Sequence, residues 1–204
     1  MTILLHAPLQ GSLDLPQARA RAPRRVTLDA TSWVEHHPRW LEDADTLCQT
    51  LAVEARWEQR SRFMVGERVV EPRLTAEYDD LASCPIAALA ALGVRLSDLH
   101  GIAYDRAWIN LYRDERDSTS WHADKPASLQ PTSLVPVLSL GETRRLLLRR
   151  AAGGASVPFH VEHGDLVVMG GRCQRDWVHA VPKERTARGS RISINFAATL
   201  HRDR

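Results

Sequence analysis

Lysine is almost missing from this chain. Lys125 and Lys183 stand alone, and the other 25 of its 27 cationic side chains are arginine. Against 25 acidic side chains the formal net charge is only +2, which excludes a protein that holds nucleic acid by bulk charge alone. Cysteine is scarce too. Cys48, Cys84 and Cys173 are scattered, odd in number and form no CxxC pair. That excludes a disulfide scaffold and a Cys-based zinc site, and fits a reducing compartment. No apolar run approaches the roughly 18–20 residues that a membrane span needs. The opening MTILLHAPLQ carries no basic start and no small-residue cleavage pattern, so a protein of the cytoplasm with no membrane partner is expected. GxGxxG and GxxxxGK[ST] are absent, leaving dinucleotide and P-loop readings without support. No repeat of 20–50 residues is visible.

What remains is ordinary globular composition, 44% hydrophobic and 25% charged over 204 residues, enough for one domain with its own core. A monomer is expected. Residues 1–26 form an N-terminal arm whose second half, 14–26, is rich in Arg, Ala and Pro without hydrophobic periodicity. It reads as a solvated lead-in, or as a cationic arm that touches phosphates. The spacing of Leu47, Leu51 and Ala55 predicts a helix over 43–57, capped by Asp43 or Asp45. A second helix opens at Pro85 and stops at Gly93. His36 and His37, followed by Pro38, read as a surface turn. From about residue 104 the pattern changes to short strands rich in Val, Ile and Leu, punctuated by Gly141, Gly153-Gly154, Gly164 and Gly170-Gly171. Helices first and strands afterwards is an α+β order, and such strands suggest a sandwich or a jelly roll.

The informative segment is AWINLYRDERDSTSWHADK, 107–125. In an extended strand Trp108, Asn110 and Tyr112 share one face, and Ile109 and Leu111 the other. One apolar and one hydrogen-bonding face suits a strand that lines a polar cavity. Twelve residues beyond Asn110 comes His122-Ala123-Asp124. Ligands at i and i+2 of extended backbone point the same way, about 6.5 Å apart at their α-carbons, and bonds of about 2 Å let both close on one ion. A third donor must come from elsewhere. Of the nine histidines, His179 in QRDWVHAVP is the best placed. Two histidines and a carboxylate on one side of a metal make the facial triad of non-haem iron(II) oxygenases, although zinc accepts similar donors. In RISINFA, Arg191, Ser193 and Asn195 share a face opposite Ile192, Ile194 and Phe196. Arg191 is thus a lone cation on the polar face of a buried-looking strand, a fork-shaped donor suited to a carboxylate.

Taken together, these segments resemble the AlkB family of iron(II)- and 2-oxoglutarate-dependent dioxygenases, from about residue 57 to 196. Asn110-Leu111-Tyr112 followed by His122-Ala123-Asp124 matches the family's NxY strand and HxD motif. The stretch GDLVVMGGRCQRDWVHAVPK matches its distal histidine strand, and RISINFA its closing arginine motif. RSRFMVGERVVEPRLTAEY resembles its nucleotide-recognition lid, ending in Pro72-Arg73-Leu74 and Tyr78.

The resemblance implies a double-stranded β-helix, or jelly roll, over 104–200, with buttressing N-terminal helices and a lid over 57–80. Fe(II) would be held by His122, Asp124 and His179. 2-Oxoglutarate would be held by Arg191, Asn110, Tyr112 and Asn195. The implied activity, relevant to DNA repair, is oxidative demethylation of 1-methyladenine- or 3-methylcytosine-type bases in single- or double-stranded DNA or RNA. It consumes O2 and releases succinate, carbon dioxide and formaldehyde. A base flipped from its stack would be held between aromatic faces and polar donors. The candidates are Trp57, Arg62, Phe63, Met64, Arg73 and Tyr78 in the lid, with Trp108 and Trp121 near the ligands. The chain departs from the family in that the Asn and Thr of the closing motif are Ser193 and Asn195, and the glycine often found before Asp117 is Glu115 or Arg116. The second arginine of the closing motif is Ala197 here, and Arg149 or Arg188 are the candidates to replace it. Two other readings are an iron and 2-oxoglutarate oxygenase acting on a protein or small molecule, and a nucleic-acid-binding homologue that has lost turnover.

Overall fold

A computed structural model describes residues 22–64, 66–186 and 189–199, so most of the N-terminal arm lies outside the described residues. Its strands, in chain order, are β1 (Arg24–Thr27), β2 (Ser32–His37), β3 (Ser61–Met64), β4 (Glu67–Val70), β5 (Leu74–Tyr78), β6 (Arg106–Tyr112), β7 (Thr119–His122), β8 (Ser133–Gly141), β9 (Arg144–Arg150), β10 (Val157–Val161), β11 (Leu166–Gly171), β12 (Trp177–Val181) and β13 (Arg191–Ala197). The helices are α1 (Ala44–Glu54), α2 (Ala87–His100) and the single turn α3 (Cys173–Asp176). Seven strands form a main sheet in the order β1-β2-β11-β8-β13-β6-β5, and four form a second sheet in the order β10-β9-β12-β7. Their pairings are antiparallel throughout.

Two apolar clusters explain the layering. Val137, Leu146, Leu148, Phe159, Val167 and Trp177 fill one cluster, built from strands of both sheets. On the other side of the main sheet Ile109, Leu138, Ile192, Ile194 and Phe196 meet Leu47 and Leu51 of α1 and Leu89, Leu92 and Leu96 of α2. The main sheet is therefore covered on both faces, and its central strands β8 and β13 are buried almost end to end. Two antiparallel sheets closing on a shared core, with helices buttressing one of them, make a double-stranded β-helix.

The sheet begins earlier than residue 104, because β1, β2 and β5 join it. His36 and His37 accordingly lie in β2, opposite Val167 and Leu166 of β11, and not in a surface turn. Alternation carries the strand up to Pro38: Val34 is fully buried while Glu35 and His36 are only partly covered. The second helix continues through Gly93 to His100 and ends at Gly101, whose φ of 66° is the left-handed C-cap conformation. Gly93 serves close packing here. A Cβ on it would lie 2.8 Å from Leu81 and 3.0 Å from the Tyr104 carbonyl oxygen. Asp43 precedes α1 but makes no side-chain capping bond. Within the predicted lid, β3 and β4 form a two-stranded hairpin, separate in pairing from the main sheet, whereas β5 belongs to the main sheet.

Asp165, in the turn before β11, ties this frame together. Its carboxylate is 2% exposed and accepts bonds from His36 Nε2 at 2.7 Å, the Arg39 amide at 2.9 Å and the Glu162 amide at 2.9 Å. Burial alone would raise its pKa, but these donors hold it below the ordinary 3.8. Its contribution is therefore complete above 3.8 and is lost as the pH falls through the lowered folded value. Asp165→Asn is expected to destabilise the fold by about 1–3 kcal/mol in chemical denaturation at neutral pH. The variant should also lose part of the acid-dependent decline; an unchanged decline would show that other carboxyls cause it.

Candidate metal centre and its cavity

β7 and β12 pair so that His122 and His179 are direct cross-strand partners. Asp124 follows two residues beyond His122 and folds its carboxylate between the two rings. His122 Nε2 lies 3.6 Å from Asp124 Oδ1, and His179 Nε2 lies 3.6 Å from Asp124 Oδ2. One ligand atom from each of the three falls within 4.8 Å of the others. Donors bonded at about 2.0–2.2 Å to a common ion stand at such separations. The imidazole–imidazole–carboxylate set fits a metal held on one face with its other positions open to ligands.

The surroundings prepare each donor. Gln174 of α3 accepts the Asp124 amide at 2.8 Å and donates to Asp124 Oδ2 at 3.3 Å. His122 Nδ1 donates to the Ser120 carbonyl at 2.9 Å, which leaves Nε2 as the ligand atom. Burial would raise the Asp124 pKa, yet the two imidazoles and Gln174 hold it low and the carboxylate ionised. Burial lowers His179 to about 4, so its ring is neutral and its lone pair available. On His122 burial acts downward, but Asp124 and the Ser120 carbonyl carry its pKa above the usual value.

Behind the triad, the polar faces of β6 and β13 enclose an inner cavity lined by Asn110, Tyr112, Arg191, Ser193 and Asn195 together with His179. Asn110 Nδ2 donates to Ser193 Oγ at 3.3 Å, and Tyr112 Oη meets Thr119 Oγ1 at 2.8 Å. The Asn195 amide donates to the Trp108 carbonyl at 3.2 Å. Arg191, 2% exposed, donates through Nε to Ser139 Oγ at 2.8 Å, but its buried Nη1 has no partner among the described residues. A buried cation with an unspent donor is a built anion site. All four residues expected to meet 2-oxoglutarate thus converge here.

The cavity opens through a mouth of about 450 Å³, lined by Arg73, Tyr78, Trp108, His122 and Asp124 among others. The remaining expected substrate residues are placed differently. Phe63 is 77% exposed on the hairpin. Arg62 and Met64 contribute backbone to β3, while their side chains lie outside the described residues. Trp57 packs against the helix-side core and acts as a buttress. Trp121 turns away from the metal: the pairing of β7 with β12 slips between Thr119 and His122, which gives both of those the inner face. Trp121 instead lines a neighbouring apolar slot of about 350 Å³ with Val70, Leu147 and Pro182, which shares Arg73, Thr119 and Val181 with the inner cavity, and it lies under the Arg149 guanidinium at 4.2 Å. Arg149 is therefore engaged away from the inner cavity, and Arg188 lies outside the described residues. The sequence reading missed Gln174, Ser139 and Thr119, because nothing in their spacing links them to the ligands.

Removing the support of Asp124 has a measurable consequence. Gln174→Ala is expected to weaken Mn(II) binding about ten- to a hundredfold, the usual cost of losing an outer partner of a metal ligand. Calorimetric titration measures it, and an unchanged affinity would show that Asp124 is held without Gln174.

Residues 17–196 match the 2OG-Fe(II) oxygenase superfamily. The chain is 30% identical over 178 residues to the Homo sapiens alpha-ketoglutarate-dependent dioxygenase alkB homolog 3, covering 76% of this chain and 62% of that protein. It is 30% identical over 227 residues to the DNA oxidative demethylase ALKBH2 of Arabidopsis thaliana, covering 89% of this chain and 71% of that protein. The structure of OsALKBH1 superposes with a TM-score of 0.58 at 17% identity, over 86% of this chain and 100% of that one, which speaks for the fold alone. The chain spans about three fifths of the length of the alkB homolog 3 proteins. The family implies Fe(II), 2-oxoglutarate and O2, and the triad and the unspent donor of Arg191 fit the first two. By the extent of these matches, the chain belongs to the 2OG-Fe(II) oxygenase superfamily and, within it, to the AlkB homologues.

Proposed function

We propose that the protein is an Fe(II)- and 2-oxoglutarate-dependent oxidative demethylase of N-alkylated bases, of the 1-methyladenine and 3-methylcytosine type, in single- or double-stranded DNA or RNA. In this reading it acts as a monomer in alkylation repair. Its three unpaired cysteines favour the reducing cytoplasm. The observation that carries the reading is the continuity of metal triad, anion cavity and aromatic-lined mouth along one polar face of the barrel.

In this reading His122, Asp124 and His179 hold the metal, which when bound supplies dioxygen-dependent oxidation coupled to loss of carbon dioxide from 2-oxoglutarate. Arg191 anchors the buried carboxylate, with Asn110 and Tyr112 beside it. Trp108 and Tyr78 flank a base entering the mouth, where a flipped base is held by stacking and polar contacts. The jelly-roll walls exclude bulk water, so that oxidation meets the substrate first. The hydroxylated N-methyl group leaves as formaldehyde and returns the bare base.

An oxygenase acting on a protein or small molecule is favoured by one observation. Arginines at and near the mouth are committed to acids: Arg60 to Glu77, Arg106 to Asp79, Arg113 to Asp117 and Arg116 to Asp114, which leaves them less available to phosphates. A binding protein without turnover draws on Ala197. Oligonucleotides bearing 1-methyladenine or 3-methylcytosine, incubated with Fe(II), 2-oxoglutarate and air, separate the three. Formaldehyde with succinate supports the demethylase. Succinate without base repair supports the second reading, and tight binding without either product the third. His122→Ala and Asp124→Ala are each expected to abolish product formation in a folded protein; near-normal activity in either would remove the triad from the mechanism.

A further inference from the structure

Ala197 ends the polar face of β13 without a charge, and the cations described near it are engaged elsewhere. Arg149 stacks on Trp121. Arg106, directly across from Ala197 on β6, pairs with Asp79 and lines the mouth. Arg73 is different. It stands between Pro72 and β5, its side chain 13% exposed, and lines both the mouth with His122 and the inner cavity with Arg191. Its Nε donates to Asn110 Oδ1 at 2.9 Å and its Nη2 meets Glu71 Oε2 at 2.9 Å. Its Nη1 is buried and has no partner. Among the described residues, Nη1 of Arg73 and Nη1 of Arg191 are the two buried, unpartnered side-chain atoms that belong to residues of the inner cavity.

The pairing places them on either side of one strand. Leu74 pairs with Leu111 and Arg191 with Tyr112, so Arg73 and Arg191 flank β6, two strand spacings or about 10 Å apart at the backbone. Two guanidinium forks at that separation, each with a donor to spare, suit a short dicarboxylate lying between them. The ends are distinguishable, because Arg73 shares the mouth with His122 and Asp124 whereas Arg191 sits deep beside Ser139. We propose that Arg73 binds the 2-oxo-acid end of the co-substrate, so that 2-oxoglutarate lies between Arg191 at its distal carboxylate and Arg73 at the end beside the metal ligands. Arg73 thereby takes over the charge missing at Ala197 and becomes a co-substrate ligand at the root of the lid, in place of a contact to the substrate base. The inference rests on the proposed co-substrate.

The experiment is calorimetric titration of 2-oxoglutarate, and of the monocarboxylate 2-oxobutyrate, into the intact Mn(II)-loaded protein. Arg73→Met is expected to weaken both ligands by a similar factor, roughly tenfold or more for a lost charge-assisted bond. Arg191→Met is expected to erase the preference for 2-oxoglutarate over 2-oxobutyrate. Arg73→Lys, which keeps the charge but not the fork, should lie between wild type and Arg73→Met, and gives the answer if the methionine variant fails to fold. Wild-type affinity for both acids in the Arg73 variants, with a raised KM for methylated oligonucleotide, would overturn the proposal and leave the co-substrate reading standing. Loss of 2-oxoglutarate alone in Arg73→Met would also overturn it, by placing Arg73 at the other carboxylate. Failure of the wild-type protein to bind 2-oxoglutarate would overturn both.

Discussion

The cross-strand pairing of His122 with His179 is the contact on which the chemistry of this molecule depends. It holds β7 to β12 at the edge of the second sheet and sets two imidazoles side by side, with ring centroids 4.2 Å apart and planes tilted by 53°. The slip in pairing just before it turns both Thr119 and His122 inward, so that one short strand serves the inner cavity and the metal ligands together. A strand has a side-chain period of two, and a one-residue shift in regular pairing would send His122 to the outer face where Trp121 now lies. The Asp124 carboxylate needs the same pairing, because it is stabilised by the two rings and by Gln174.

Buried charge is the second constraint. Arg144 and Arg191 are each nearly inaccessible, and Asp124 is close to it. Such groups persist only when bonded or paired. Arg144 donates to the carbonyl oxygens of Asp114, Asp117 and Pro182, and so holds the loop between β6 and β7 against the end of β12. Its role is architectural. The Arg144 Nε is also without a hydrogen bond, 3.9 Å from Glu184 Oε1 and away from the inner cavity, whereas Arg191 spends one donor on Ser139 and keeps another unspent in a residue that lines that cavity, where a ligand can complete its bonding. Two buried arginines of similar depth thus have different work, and the difference lies in the bonds already made and in which of them lines the cavity.

Much of the site was legible because strand alternation transmits side-chain direction without knowledge of the partner strand. Trp108, Asn110 and Tyr112 fell on one face, and Arg191, Ser193 and Asn195 on one face of β13, as their spacing requires. The aromatics were harder to assign. Trp57 and Trp121 have the composition of a base-binding site, but one is a buttress of the helix-side core and the other is turned outward by an irregular pairing. Local pattern ends helix α2 at Gly93, whereas that glycine is a contact with Leu81 and Tyr104 that a side chain would block. Local pattern makes His36 and His37 a turn because their partners on β11, Val167 and Leu166, lie far along the chain, beyond its reach.

The amino-acid sequence by itself determined the run of short strands beyond residue 104, the two faces of β6 and β13, and the His122–Asp124 donor pair with His179 as its best-placed third, since each follows from local period and residue chemistry. Only the tertiary structure decided that Gln174 supports Asp124, that Trp121 leaves the site, and that Arg73 and Arg191 each bring an unspent donor to one cavity. Those facts are set by which distant strands pair and in what register, and backbone hydrogen bonding between them carries no mark in the residues themselves.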